Sequence, residues 1–402
     1  MGRKWIMIVF LSLFLFGCTT DDCQVEKSET SSFFSKISKE DALNIANDVL
    51  DKTTTTRHVP IDEMFSYVLS DNNKKTRSIS IPDTLAYVIN YPNNDGFVIV
   101  ATDRRVNPVL GFSDKGNFSF ENDNAKVNFI DRIETYMANA NSDVSYDSDN
   151  YNMYYQVLPV LKISLSQGSP WNKYVIKDHP GCPAGCVAVA TALVLSHSLL
   201  ELDYHGSKYY FKSIIEAIKK GQNLQNIGPL YYDTDWNKVV QPEYSYEQAV
   251  DSMSKFLYWI GKDVNMSYTT SASSASSYSA YSLCKKLKDV DDLEYIPFNI
   301  NAITWLLKNG NIVYLRGTDI NGNGGHAWVA DGACYCVTST EDKRSLIREE
   351  ITETYIHCDW GWGGISNGYY SGSVFSAGGY NFQPLNYFAL KRGENSIINV
   401  IR

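Results

Sequence analysis

The chain has 402 residues, 44% of them hydrophobic and 20% charged, with a formal net charge of -9. This length accommodates two or three domains and a sizeable core. The acidic balance, without a basic patch, excludes nucleic acid as a partner.

Residues 1–18 read as a targeting segment. "MGRK" is a short basic start, and "WIMIVFLSLFLFG" is an apolar run too short for a membrane span. The run ends in "LFGC", which resembles the bacterial lipoprotein signal and makes Cys18 the lipidated first residue; an uncleaved anchor or a plain secretion signal is the alternative. Thr19 and the pair Asp21 and Asp22 resemble the surface-export signal of Bacteroidetes lipoproteins. The expectation is an exported outer-membrane lipoprotein at the cell surface, from which a mature form can be released. Of eight cysteines, seven remain beyond Cys18, and an odd number in an exported chain leaves at least one free thiol. No cysteine pairs have zinc-site spacing, so neither a metal nor a cofactor is expected.

Residues 19–36 are polar and Ser/Thr-rich, a tether. "SKED" at 38–41 has the form of a capping box and opens a helix carrying Ala42, Leu43, Ile45, Ala46 and Leu50. Two β-rich runs, "LAYVINYP" and "GFVIVATD", flank the turn-like "NNDG". Val127, Ile130, Ile133 and Met137 stand at helical spacing over 125–139. "NSDVSYDSDN" (141–150) has neither periodicity and reads as an exposed, protease-sensitive linker. Helices are then expected over 186–199 and about 244–260, the latter stopped by Gly261. "SYTTSASSASSYSAYS" (267–282) reads as a loop. The last third is strand-like in "NIVYLRG", "GHAWVADGA", "ETYIHCDWGW" and "NYFALKRG". Helices followed by antiparallel strands give an α+β class, with two halves facing each other across a cleft.

Cys186 follows Gly185 and opens the apolar run Val-Ala-Val-Ala-Thr-Ala. A thiol at a helix N-terminus meets the positive end of the dipole, which favours thiolate. Cys182, in a loop before Pro183, lacks that advantage. Among the six histidines, His326 stands out because glycines lead into it and a β-rich run follows. Asp359 is a candidate to accept the imidazole proton, with Trp360 beside it to shield that bond from water. An oxyanion at a scissile carbonyl needs donors, and Gln167 in "SQGSPWN" and the Cys186 backbone N–H offer two.

Taken in order, "SQGSPWN", "GCVAVATA", "GGHAWVADGA" and "DWGWGGISNGYY" resemble the streptopain family of cysteine peptidases in the papain clan. "GFVIVATDRRVNPVLGFS" resembles that family's inhibitory pro-domain, and the likeness spans about 38–390. The resemblance implies a small α+β pro-domain (37–140), a processing linker (141–154) and a papain-like catalytic domain (155–402). In that domain a helical part faces an antiparallel sheet part, with the active site between them. It implies a zymogen, activated by cleavage into an endopeptidase that works through an acyl-enzyme. Cys186 would be the nucleophile, His326 the general base and acid, and Gln167 the oxyanion donor, with Gly325 and Ser274 lining the substrate cleft. The partners implied are protein or peptide substrates and the chain's own pro-domain as inhibitor, besides the lipid anchor to a bacterial membrane. The family usually has Asn where this chain has Asp359, and a carboxylate there should favour imidazolium and raise the His326 pKa. A transglutaminase-like acyl transferase and a surface binding protein on a peptidase fold stay open as alternatives.

Overall fold

The computed structural model describes residues 36–53, 65–70, 84–119, 123–141, 143–146, 152–222, 224, 227–230, 233–288, 294–317, 325–342, 348–372, 386–391 and 397–398. The targeting segment, nearly all of the tether, and Cys18 lie outside these residues.

The first elements are α1 (Lys39–Thr53), β1 (Phe65–Ser70), β2 (Thr84–Asn90), β3 (Phe97–Ala101), β4 (Val109–Ser113) and α2 (Asp123–Ala138). The capping box at the start of α1 forms: the Ser38 N–H donates to Asp41 Oδ2 and the Asp41 N–H to Ser38 Oγ, both at 3.1 Å. Every residue of β3 and β4 is buried. Both faces are covered, which is why the run "FVIVA" is continuously apolar rather than alternating. Ala42, Ile45 and Val49 of α1 pack on Tyr87, Ile89, Val98 and Val100. Ile133 and Met137 of α2 pack on the opposite side with Val88, Phe97 and Ile99.

Part of the expected linker is strand. β5 (Val144–Tyr146) and β6 (Asn152–Val157) both pair antiparallel with β13 (His326–Asp342). The reason lies in β13, which is 17 residues long and far outruns its partner β12 (Asn311–Gly317). Its outer half would present an open edge, and the chain between α2 and the peptidase part covers it. Val157 pairs with Ala333 and Asn152 with Val337, while Tyr146 and Val144 pair with Thr340 and Asp342.

The helical part comprises α3 (Val175–Asp178), α4 (Cys186–Ser198), α5 (Phe211–Lys219), α6 (Asp233–Lys238), α7 (Tyr246–Asp263) and α8 (Ser277–Lys288), while α9 (Ile300–Lys308) packs with Trp328 on the other face of the sheet. The hairpin strands β7 (Glu201–Tyr204) and β8 (Ser207–Tyr210) follow α4, and β9 (Ser267–Tyr268) and β10 (Ser273–Ser274) follow α7. Two expectations fail here. Gly261 does not stop α7, which continues to Asp263. A Cβ at Gly261 would lie 2.1 Å from the Tyr268 hydroxyl, so the glycine serves close approach. The serine-rich stretch is not one loop: it holds the β9–β10 hairpin and the start of α8. Helix α4 is buried from Val187 to Ser198, polar residues included. It is the central helix, packed on β12, β13, α7 and α8.

The remaining strands are β11 (Ile296–Pro297), β14 (Arg348–Asp359), β15 (Gly368–Ser371), β16 (Asn386–Lys391) and β17 (Ile397–Ile398). The main sheet runs β1-β2-β3-β4-β15-β14-β13-β12-β16-β11, so strands of the amino-terminal part and of the peptidase part are neighbours in one sheet. The seam is β4 against β15, with Phe112 opposite Tyr369 and Gly111 opposite Tyr370. Phe112 stacks on Tyr369 at 5.3 Å between centroids. Cores merge across the seam: Val88, Phe97 and Ile99 share one cluster with Trp328, Ile356 and Tyr370. Residues Ser35–Arg402 accordingly form one compact unit. A Cβ at Gly111 would sit 2.9 Å from the Tyr370 ring and 3.1 Å from the Tyr369 carbonyl oxygen. Gly111→Ala should therefore overpack the seam and destabilise the full-length chain by about 1–3 kcal/mol. Urea unfolding checks this, and an unchanged midpoint would refute the close approach.

Candidate active site

Gly185 is the N-cap of α4, with φ 90° and ψ 137°. A side chain there would be strained and would also meet Met266 at 2.8 Å and Ser273 at 3.2 Å. This glycine lets the chain turn sharply into the helix, so that Cys186 is its first residue, half-buried, beside the positive end of the helix dipole. Cys182 has a different setting. It is buried with Val175 and Ala184 in a small apolar cluster, and its backbone carbonyl accepts from Asn172 Nδ2 at 3.0 Å. It is a packing residue. All six cysteines among the described residues are free thiols.

Gln167 is tied to the approach to Cys186, since the Ala184 N–H donates to the Gln167 carbonyl at 2.7 Å. On its other side the segment is held by the loop after β14. Ser166 bridges Trp362, and the Gly363 N–H donates to the Leu165 carbonyl at 2.8 Å. That loop lies on the helix carrying Cys186. Gly361, at φ +72°, would put a Cβ 2.9 Å from Val189 of α4.

His326 is the first residue of β13, half-buried, opposite Gly317 of β12. Its ring lies 5.2 Å from the Trp362 ring and 6.2 Å from the Trp360 ring, between centroids. His326 Nε2 is 2.8 Å from the Trp360 carbonyl oxygen. A carbonyl can only accept, so the contact selects the Nε2–H tautomer and leaves Nδ1 with its lone pair. Burial pushes the His326 pKa down to about 4, and the bond to the Trp360 carbonyl offsets only part of this.

The structure corrects two assignments. Asp359 does not accept from the imidazole. Its Oδ1 accepts from the Gly361 N–H at 2.9 Å, and its Oδ2 accepts from Ser164 Oγ at 2.6 Å and Asn367 Nδ2 at 2.7 Å. Trp360 consequently shields no His–Asp bond; its backbone carbonyl is itself the acceptor. Asp359 ends β14 with its carboxylate turned into the interior, where backbone and side-chain donors converge on it. Burial raises its pKa, while the bonds from Ser164, Gly361 and Asn367 act the other way. The rise expected for His326 is likewise replaced by a fall.

Gly325 is exposed directly before His326, and Ser274 is exposed on β10. β10 lies against α4, and the Ser273 hydroxyl donates to the Pro183 carbonyl at 2.7 Å. Sequence reasoning missed Ser164, Asn367 and Trp362. Trp362 and Asn367 sit inside the quoted block "DWGWGGISNGYY", but nothing in the spacing tells which side chains turn inward.

The chain is similar to known proteins over most of its length. The model of the Peptidase C10 family matches residues 165–370, and that of the Spi protease inhibitor matches residues 35–137. Streptopain of Streptococcus pyogenes is 27% identical over 334 residues, covering 73% of this chain and 78% of its own length. The thiol protease/hemagglutinin PrtT of Porphyromonas gingivalis is 24% identical over 324 residues, which are 71% of this chain but 33% of that protein. Among solved structures, a fragment of Prevotella intermedia prointerpain A matches with 18% identity and a TM-score of 0.47, covering 79% of this chain and 98% of that one. The chain belongs to the Peptidase C10 family: it is a cysteine peptidase with an inhibitor-type pro-domain ahead of its catalytic part.

Proposed function

We propose that Cys186 is the nucleophile of this peptidase and His326 its general base. Nδ1 of His326 takes the thiol proton as sulfur attacks the scissile carbonyl, and returns it to the leaving amine. Water then hydrolyses the acyl-enzyme, with the same nitrogen accepting its proton. The Gln167 side-chain amide and the Cys186 backbone N–H stabilise the oxyanion. The Trp360 carbonyl, rather than a carboxylate, holds the imidazole, and Gly325 and Ser274 border the substrate cleft. One observation carries the reading: an unbroken set of contacts joins the Gln167 segment, the start of α4, the Trp360–Trp362 loop and His326. An acyl transferase would use the same intermediate, so hydrolysis of casein without an added amine is the relevant assay. Cys186→Ala should lower that hydrolysis by at least about 1000-fold, while Cys182→Ala keeps most of it. The reverse pattern would exchange their roles.

Processing within 141–154 separates the pro-domain from the enzyme in this proposal. A weakly basic imidazole is a poor acceptor for a thiol proton, which suits a latent precursor. The low pKa also has a stability consequence. A histidine titrates near 6.5 when unfolded and near 4 here, so folding favours the neutral ring. Its stabilising contribution is complete above about pH 6.5 and is lost as pH falls toward 4, at most about 3 kcal/mol. Urea unfolding of the full-length chain, in a Cys186→Ala background, should show this extra loss between pH 7 and 4. His326→Gln should remove it, and parallel pH profiles would refute an enclosed imidazole.

The sequence "LFGC" supports export and lipidation at Cys18, with the precursor anchored in the outer membrane at the cell surface. Metabolic labelling with a palmitate analogue should mark the wild type and not Cys18→Ala, which should leave the membrane fraction. Equal membrane retention of both would mean an uncleaved anchor.

A further inference from the structure

A catalytic imidazole held by a backbone carbonyl is only as well aimed as the peptide plane that contains that carbonyl. The Trp360 C=O belongs to the Trp360–Gly361 peptide group, which is planar and carries the Gly361 N–H on its opposite edge. That N–H donates to Asp359 Oδ1 at 2.9 Å. Turning the plane would break this bond, so Asp359 fixes the direction of the carbonyl from behind. The amide before it is fixed too, since the Trp360 N–H donates to Asn367 Oδ1 at 3.1 Å. Asn367 joins the two anchors, because its Nδ2 donates to Asp359 Oδ2 at 2.7 Å and to Ser164 Oγ at 3.0 Å.

Asn367 is itself locked. The preceding residue, Ser366, is buried at φ 61°. Its carbonyl accepts from Tyr370 OH at 2.5 Å and from Trp360 Nε1 at 3.0 Å. The turn therefore closes back on the tryptophan whose carbonyl meets His326.

We propose that Asp359 and Asn367 are positioning residues for peptide hydrolysis, acting through the Trp360–Gly361 peptide plane to aim the carbonyl that orients His326. This rests on the reading of His326 as the general base. Neither side chain bonds to the imidazole, and the polar atoms of both are taken up by backbone amides, Ser164 and each other, so their loss should act on the rate and not on substrate binding. What they set is the angle at which Nδ1 is offered to the thiol, and misplacement of about 1 Å at a reacting group can cost about 100-fold in rate.

The test uses the full-length chain, activated with the same added protease for wild type, Asn367→Ala, Asp359→Asn and His326→Ala. The two donors lie on different carboxylate oxygens, and Asp359→Asn turns one of these into an NH2 group that cannot accept, so either the Gly361 N–H or Asn367 Nδ2 loses its partner. That substitution also retains the size of the side chain if Asn367→Ala does not fold. Both brace variants should lower kcat by roughly 10- to 100-fold and leave KM within about twofold. The downfield Nε2 proton of His326, seen by NMR as one sharp resonance in the wild type, should broaden or vanish in them, while the unfolding midpoint of each remains well above the assay temperature. Wild-type kcat with an intact Nε2 proton in both variants, beside an inactive His326→Ala, overturns the brace alone. Wild-type kcat in His326→Ala overturns the reading of His326 and the brace with it.

Discussion

Strand β13 is the constraint on which the rest of the molecule depends. At its start it carries His326, and along its first half it pairs with β12 while the helix headed by Cys186 packs against it. Its other edge takes β14, which ends at Asp359 and delivers Trp360 to the imidazole. Its outer half takes β6 and β5. A shift of register by one residue would turn every side chain to the opposite face. It would bury His326 differently, drive Trp328 into the close-packed opposite face beside α4 and break both pairings at once. His326, the carbonyl that meets its ring and the junction to the pro-domain are thus set by one alignment.

This alignment also governs how the pro-domain is held. A tether alone supplies effective concentration, which ends when the tether is cut. Here the contact is a sheet seam with merged apolar clusters on both faces, involving Phe97, Phe112, Tyr369 and Tyr370. It resembles the inside of a domain more than a docked module. The pro-domain also reaches the turn that braces the active site. The Ser366 N–H donates to the Asn117 carbonyl at 3.1 Å, and Ser366 Oγ both accepts from the Ser119 N–H at 3.0 Å and donates to the Ser119 carbonyl at 2.5 Å. Removal of the pro-domain therefore frees an edge strand and releases the residue next to Asn367.

Much of this was legible in the sequence, for a physical reason. The placing of Cys186 and His326 at element starts was legible through a neighbour that alters the backbone, a glycine N-cap in one case and a glycine run before a strand in the other. The inner strands were legible because burial on both faces leaves long apolar runs. What was not legible depends on partners distant in the chain. Asp359 was read as a partner of the imidazole from its place beside Trp360, but Ser164, 195 positions away, and Asn367 claim its carboxylate. β5 was read as linker because it lacks apolar periodicity, and β6 straddles the boundary expected after residue 154. Their pairing is dictated by the uncovered length of β13, and no local pattern reports that. Gly261 was read as a stop, although the close approach of Tyr268 accounts for it.

Replacing a carboxylate by a carbonyl as the imidazole's acceptor changes the electrostatics of the site. A carboxylate would offer a full negative charge to a developing imidazolium, whereas a carbonyl offers a dipole. The charge of Asp359 is directed instead toward two amide groups and a hydroxyl, one peptide away. With burial also disfavouring the cation, the ring in the full-length chain is neutral across the ordinary pH range. A thiolate–imidazolium pair must then draw its stability from elsewhere. The helix dipole at Cys186, equivalent to roughly half a positive charge at that terminus, supports the thiolate. The thiolate in turn supports the imidazolium. The pair is thus favourable only as a pair, and its formation is sensitive to solvent reaching His326.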